Sequence, residues 1–241
     1  MRIFVAGANG RLGRIVVARA LEEGHQVTAF VRNAGSLPDN PALSIRIGSI
    51  AEQPDLVRQV VQGHDAVLSA LGNPLWLKGM RGPAILAAAA ANLVTAMHAT
   101  GVPRLVLPLA WGTGLSRTAA SPLVRAIAAT LIRRDFRDFD AAEKLVTTSD
   151  LKWTIAYFGA LTDDEPTTRW NASTHIRTPN PLAIARADVA RFLISSLDDE
   201  ALVKQHVVLS GAANGNTSSR SPGNCISDGP PGRRCSRRSA T

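Results

Sequence analysis

The segment Val5-Ala6-Gly7-Ala8-Asn9-Gly10-Arg11-Leu12-Gly13-Arg14 sets a G-x-x-G-x-x-G turn between a short apolar run and a stretch of helical periodicity. Strand, glycine turn and helix in that order form the context in which such a turn cradles a dinucleotide. Gly7 permits the tight turn, Gly10 lets backbone approach a pyrophosphate, and Gly13 lets the helix lie close to the strand. The first helical turn then offers free N–H groups and a favourable dipole to phosphate oxygens. Gly7, Asn9, Gly10, Arg11, Leu12 and Gly13 are therefore the first candidate cofactor-binding residues.

The rest of the chain repeats the alternation that the turn begins. Pattern and punctuation predict strands at Arg2–Ala6, Gln26–Val31, Leu43–Ile47, Asp65–Ala70, Arg104–Leu109, Trp153–Phe158 and His206–Leu209. They predict helices at Arg11–Glu23, Pro54–Gln62 (with Gly63 as its cap), Pro83–Thr100, Pro122–Ser149 and Arg186–Leu197. Strands alternating with helices imply right-handed crossovers and a parallel sheet covered on both faces. The expected fold is α/β: a doubly wound, mostly parallel sheet in a Rossmann-type three-layer sandwich. Apolar residues make up 45% of the 241 residues and aromatics only 5%, which suits strands buried on both faces. Residues 1–210 read as one NAD(P)-binding domain, with substrate-side loops at 110–120 and 159–181.

Residues 211–241 change character. They are rich in Gly, Ser, Asn, Pro and Arg, and Ile226 is their one large apolar residue. Such a composition predicts a disordered basic tail. Five arginines there against Asp228 give +4, so the other +4 of the formal +8 belongs to the body (8 − 4). On the body, Arg133, Arg134 and Arg137 at helical spacing read as a solvated face, so no nucleic-acid partner is expected. Cys225 and Cys235 both lie in the tail, and no spacing of ligating residues suggests a metal. The start of the chain lacks the regions of a signal peptide, and the Ala-rich run at 84–96 is too short to span a bilayer. The expectation is a cytoplasmic protein, monomer or homodimer, with a small-molecule substrate and no membrane partner.

At the end of the second strand, Phe30-Val31-Arg32-Asn33 offers a guanidinium where an NAD site would place an acid for the ribose 2′-hydroxyl. Arg32 therefore points to NADP(H) through a charge-assisted contact with the 2′-phosphate, with Arg11 and Arg14 as helpers. At the end of the fourth strand, Val67-Leu68-Ser69-Ala70-Leu71-Gly72, small residues and Gly would let backbone pass close to the cofactor, which makes Ala70, Leu71 and Gly72 candidates there.

These motifs together resemble the atypical short-chain dehydrogenase/reductase group with NAD(P)H-binding, NmrA-like domains, which includes flavin reductase/biliverdin reductase B-like proteins. The resemblance rests on G-A-N-G-R-L-G at 7–13, V-R-N at 31–33, L-S-A-L-G at 68–72, R-L-V-L-P-L-A-W-G at 104–112, D-L-K-W-T-I at 150–155 and A-R-A-D-V-A at 185–190. It implies NADP(H) at the carboxyl edge of the sheet and a small hydride acceptor above the nicotinamide. Relatives often carry Ser or Thr near the end of the fifth strand, where this chain has Pro108-Leu109-Ala110. Where they often show Arg-Pro or Pro-Pro, it has Tyr157-Phe158, and no Tyr-x-x-x-Lys pair is present.

Tyr157, the one tyrosine, remains the catalytic candidate as proton donor or stacking surface; packing in the core is the competing reading. Asp140 and Lys144 read as an i,i+4 surface pair. His25, His64 and His206 read as loop residues beside strands, and His175 lies in an irregular 163–181 segment that could cover a substrate. The reading that follows is an NADPH-dependent oxidoreductase of a flat acceptor such as a flavin or quinone. The alternatives are a non-catalytic NADP(H) sensor and an NAD-dependent epimerase or isomerase.

Overall fold

The computed structural model describes residues 1–33, 35, 37–72, 85–120, 133–167 and 170–211. Strands β1 (Arg2–Ala6), β2 (Gln26–Val31), β3 (Leu43–Ile47), β4 (Ala66–Ser69), β5 (Arg104–Ala110) and β6 (Lys152–Phe158) alternate with helices α1 (Arg11–Glu22), α2 (Pro54–Val61), α3 (Leu86–Thr100) and α4 (Arg133–Thr147). Short strands β7 (Leu161–Thr162), β8 (Trp170–Ser173) and β9 (Ile184–Ala185) follow, then α5 (Arg186–Ser195) and β10 (Gln205–Gly211). The expected helical starts at 83–84 and 122–132, and the expected tail beyond Gly211, lie outside the described residues.

The main sheet runs β3-β2-β1-β4-β5-β6-β10-β8, parallel except for β8, which pairs antiparallel with β10. The chain reverses direction across the sheet between β1 and β4, and a crevice opens there at the carboxyl edge. Two apolar layers cover the sheet. One packs α1 and α5 onto one face through Val16, Val17, Ala20, Val189 and Leu193. The other packs α2, α3 and α4 onto the opposite face through Val57, Val61, Leu93, Met97, Phe139 and Val146. The doubly wound, mostly parallel sandwich expected from the alternation is the fold observed.

Four expectations change. The segment at 163–181 is not wholly irregular: β8 completes the sheet within it, and β7 pairs with β9 in a small second sheet. His206 belongs to β10 rather than a loop, and its ring stacks on Tyr157 at 5.9 Å and 7°. Asp140 does not support Lys144; it accepts the Gly114 N–H at 2.7 Å and pairs with Arg117. The cap of α2 is Gln62, with Gly63 following in left-handed conformation at φ +79°.

Candidate functional site

The glycine turn lies where β1 meets α1, and its packing explains its glycines. Gly7 has φ +74° and donates its N–H to the Phe30 carbonyl at 3.1 Å. A Cβ there would stand 3.0 Å from both the Ala70 carbonyl oxygen and Leu71 Cδ2, so the turn presses on the end of β4. At Gly13 a Cβ would meet the Gly7 carbonyl oxygen at 2.3 Å and Ala8 Cα at 2.9 Å. The close approach at Gly13 is thus to the turn itself, a backbone contact that cannot yield.

Gly10 is the N-cap of α1, in extended conformation, with no side-chain cap hydrogen bond among the described residues. Three to four amides at a helix start lack helical partners, so this end of α1 presents donors and a positive dipole end.

A cleft of about 780 Å³ opens beside this turn. Gly7, Asn9, Gly10, Arg32, Ala70, Leu71 and Gly72 line it, so the turn, the end of β2 and the end of β4 converge as the motifs suggest. Asn9 lies against Gly35 in the loop after β2, where a Cβ on Gly35 would stand 1.9 Å from the carboxamide nitrogen. Leu12 packs partly into the core under α1, and Gly13 is buried against the turn. Arg11 points elsewhere, into an ion pair with Asp163. It is therefore not positioned as a helper of Arg32.

Arg32 is exposed on the cleft wall and has no ion pair or hydrogen bond among the described residues. Its guanidinium is free to take an anion.

The opposite wall, residues 47–53 after β3, was missed by motif reading. The Gly48 N–H donates to the Val31 carbonyl at 2.8 Å, and the Ser49 N–H to Gln53 Oε1 at 2.8 Å, which folds this loop back onto the end of β2. The signal for it lay in topology: β3 is parallel to β2, so its end must emerge at the same edge.

Beyond β5 the two nearby hydroxyls are committed to backbone. Thr113 Oγ1 donates to the Ala110 carbonyl at 2.7 Å, and Ser116 Oγ donates to the Thr113 carbonyl at 2.6 Å. Tyr157 is fully buried and lies outside the cleft lining. Burial, and then the charge of Glu143, push its hydroxyl far above the usual tyrosine range. Glu143 itself accepts the Leu115 N–H at 2.9 Å and pairs with His206 at 3.4 Å. His175 is exposed and its backbone N–H donates to Ser173 Oγ at 3.1 Å. No group of His, Cys, Asp or Glu among the described residues could hold a metal, and no described helix is long and apolar enough to cross a membrane.

A parallel sheet with a glycine turn, an uncapped helix start and a crevice at its reversal point defines a dinucleotide-binding protein of the Rossmann class. Residues 7–200 match the NAD(P)H-binding domain family, and the chain belongs to that family. NAD(P)H is thus its cofactor, and the close-packed turn and uncapped amides fit the diphosphate of such a molecule.

An uncharacterised chloroplastic protein of Arabidopsis thaliana is 27% identical over 215 residues, spanning 85% of this chain and 72% of its own. A short-chain dehydrogenase/reductase of Veillonella parvula, solved in complex with NADP, superposes with a TM-score of 0.72 at 18% identity, covering 87% of this chain and 94% of its own. ChuY of Escherichia coli O157:H7, described as an anaerobilin reductase, gives 0.72 at 20% identity over 90% of this chain and 100% of its own.

Proposed function

We propose that this protein is an oxidoreductase that prefers NADPH to NADH and reduces a small, flat acceptor such as a flavin or quinone. The observation that carries the preference is Arg32, an exposed guanidinium on the cleft wall with no partner among the described residues, in the acid-free sequence Phe30-Val31-Arg32-Asn33. When bound, the nicotinamide supplies the hydride, and the protein's task is to bind and orient. Gly7 and Gly10 bring backbone up to the diphosphate, the first turn of α1 donates to it, and Ala70, Leu71 and Gly72 let the cofactor lie along the end of β4. A flat conjugated acceptor suits a site without an assigned proton donor, because its reduced form takes its proton from water. The ChuY neighbour, a named reductase of the same fold, supports the reaction class.

One observation favours a second reading, an NADP(H) sensor without turnover: the hydroxyls of Tyr157, Thr113 and Ser116 are all turned into the fold. The test is a fluorescence titration with NADPH and NADH, on the unaltered protein and on Arg32→Ala, followed by NADPH consumption with flavins and quinones. Loss of one charge-assisted contact should weaken NADPH about tenfold or more and leave NADH nearly unchanged. Equal affinity of the unaltered protein for both nucleotides would sink the preference. Tight binding without turnover on any acceptor would favour the sensor.

A further inference from the structure

Arg11 is the first residue of α1, one position after the uncapped Gly10. Side chains on a helix lean toward its N-terminus, so Arg11 reaches past the helix start into the region where anions gather. It finds one there from its own chain. Asp163, just after β7, pairs through Oδ2 with Arg11 and through Oδ1 with Arg186, the first residue of α5. The two ion pairs differ in setting. The side chains of Arg11 and Asp163 are 64% and 60% exposed, whereas that of Arg186 is 11% exposed. Arg186 is thus the fixed anchor and Arg11 the movable partner. Asp164 and Glu165 follow, exposed and without an ion pair among the described residues.

We propose that Asp163 is an affinity-determining residue that competes with the cofactor diphosphate for Arg11 and so holds dinucleotide affinity below what the turn alone would give. The proposal rests on the cofactor reading above. A diphosphate seated on the first turn of α1 comes within reach of Arg11, the first residue of that turn, whose guanidinium Asp163 now holds. If Arg11 stays with Asp163, the diphosphate meets a cancelled charge. If Arg11 turns to the diphosphate, the exposed ion pair is lost. In both cases the carboxylate opposes cofactor binding, so the sign of the effect does not depend on which arrangement the bound protein takes.

The test is NADPH titration of the full chain carrying Asp163→Asn, Arg11→Gln, both together, or Asp164→Asn, at low and high ionic strength, with a thermal melt of each. Asp163→Asn should tighten NADPH binding about two- to fivefold, the worth of an exposed ion pair. That gain should vanish in the Arg11→Gln background, shrink at high salt, and be absent in Asp164→Asn. Unchanged or weaker NADPH binding by a folded Asp163→Asn protein overturns the proposal, as does an equal gain from Asp164→Asn. Absence of NADPH binding by the unaltered protein overturns the cofactor reading as well, whereas normal binding with no gain from Asp163→Asn overturns this inference alone.

Discussion

The hydroxyl of Tyr157 is buried with no hydrogen-bond partner among the described residues, and it lies beside the carboxylate of Glu143. Its neutral form is therefore favoured in the folded state. Because the folded pKa is raised, stability from this group is fully present below about pH 10, the ordinary tyrosine value, and is lost as pH rises above it. Tyr157 is the chain's one tyrosine, so tyrosinate absorbance reports on it alone. Absorbance should stay flat at alkaline pH until the protein unfolds, and Tyr157→Phe should lose less stability between neutral and alkaline pH than the unaltered protein. Titration near pH 10 in a folded protein would show a hydroxyl open to solvent. At this scale the sequence was informative where backbone geometry dictates residue type. Gly7 and Gly13 could be placed because a positive φ and a backbone contact at 2.3 Å admit little else. Arg11 could not: its partner, Asp163, lies 152 residues away and is supplied by the fold.

Secondary-structure elements are tied together by groups whose roles only tertiary structure reveals. Asp138 of α4 accepts the Leu86 N–H at 2.8 Å and the Ala87 N–H at 2.9 Å, and so caps the start of α3. Asp140 and Glu143 do the same for the short 3-10 turn at Gly114–Ala119. Local spacing suggested a pair with Lys144, but a carboxylate that satisfies an orphan amide gains more than an exposed ion pair. Arg104, at the start of β5, is buried and donates to the Lys152, Ser196 and Leu197 carbonyls and to Thr154 Oγ1, fastening α5 to β5 and β6 at the edge opposite the cleft.

His64 plays a similar part between α2 and β4. Its Nδ1–H donates to the Val61 carbonyl at 3.0 Å, Nε2 accepts from the Thr28 hydroxyl at 2.8 Å, and its ring meets Phe4 edge-on at 5.9 Å. Burial, and then the charge of Arg2, lower its pKa from the ordinary 6.5. The unfolded chain therefore takes up the proton first as pH falls. Stability from neutral His64 is present above about 6.5 and declines as pH drops through the folded value. Melting temperatures at neutral and mildly acid pH should fall for the unaltered protein and fall less for His64→Gln. Equal slopes would mean that His64 is protonated as easily in the fold as outside it.

For the whole molecule, the parallel sheet covered on both faces followed from the alternation of elements, because right-handed crossovers leave few alternatives. What did not follow was the far edge: β8 is four residues long, half exposed, and carries no periodicity that distinguishes it from a loop. Its pairing with β10 adds the antiparallel edge of the sheet. Gly211 is the last residue of β10, is buried, and sits opposite Trp170 of β8, whose ring packs edge-on to Phe192 of α5 at 5.6 Å. Gly211 is therefore held in the folded body by both pairing and burial. Residues 212–241 carry five arginines and one large apolar side chain, Ile226, and so have little area to contribute to a core. A chain ending after residue 215 should melt at the same temperature as the full chain and bind NADPH with the same affinity. Ending it after residue 207 removes Val208 and Leu209 from the two apolar layers and the β8 pairing with them, and should cost several kcal/mol. Parallel melts and NADPH titrations of the three chains decide the point. A drop in stability or affinity on losing 216–241 alone would assign those residues to the folded body or to the site.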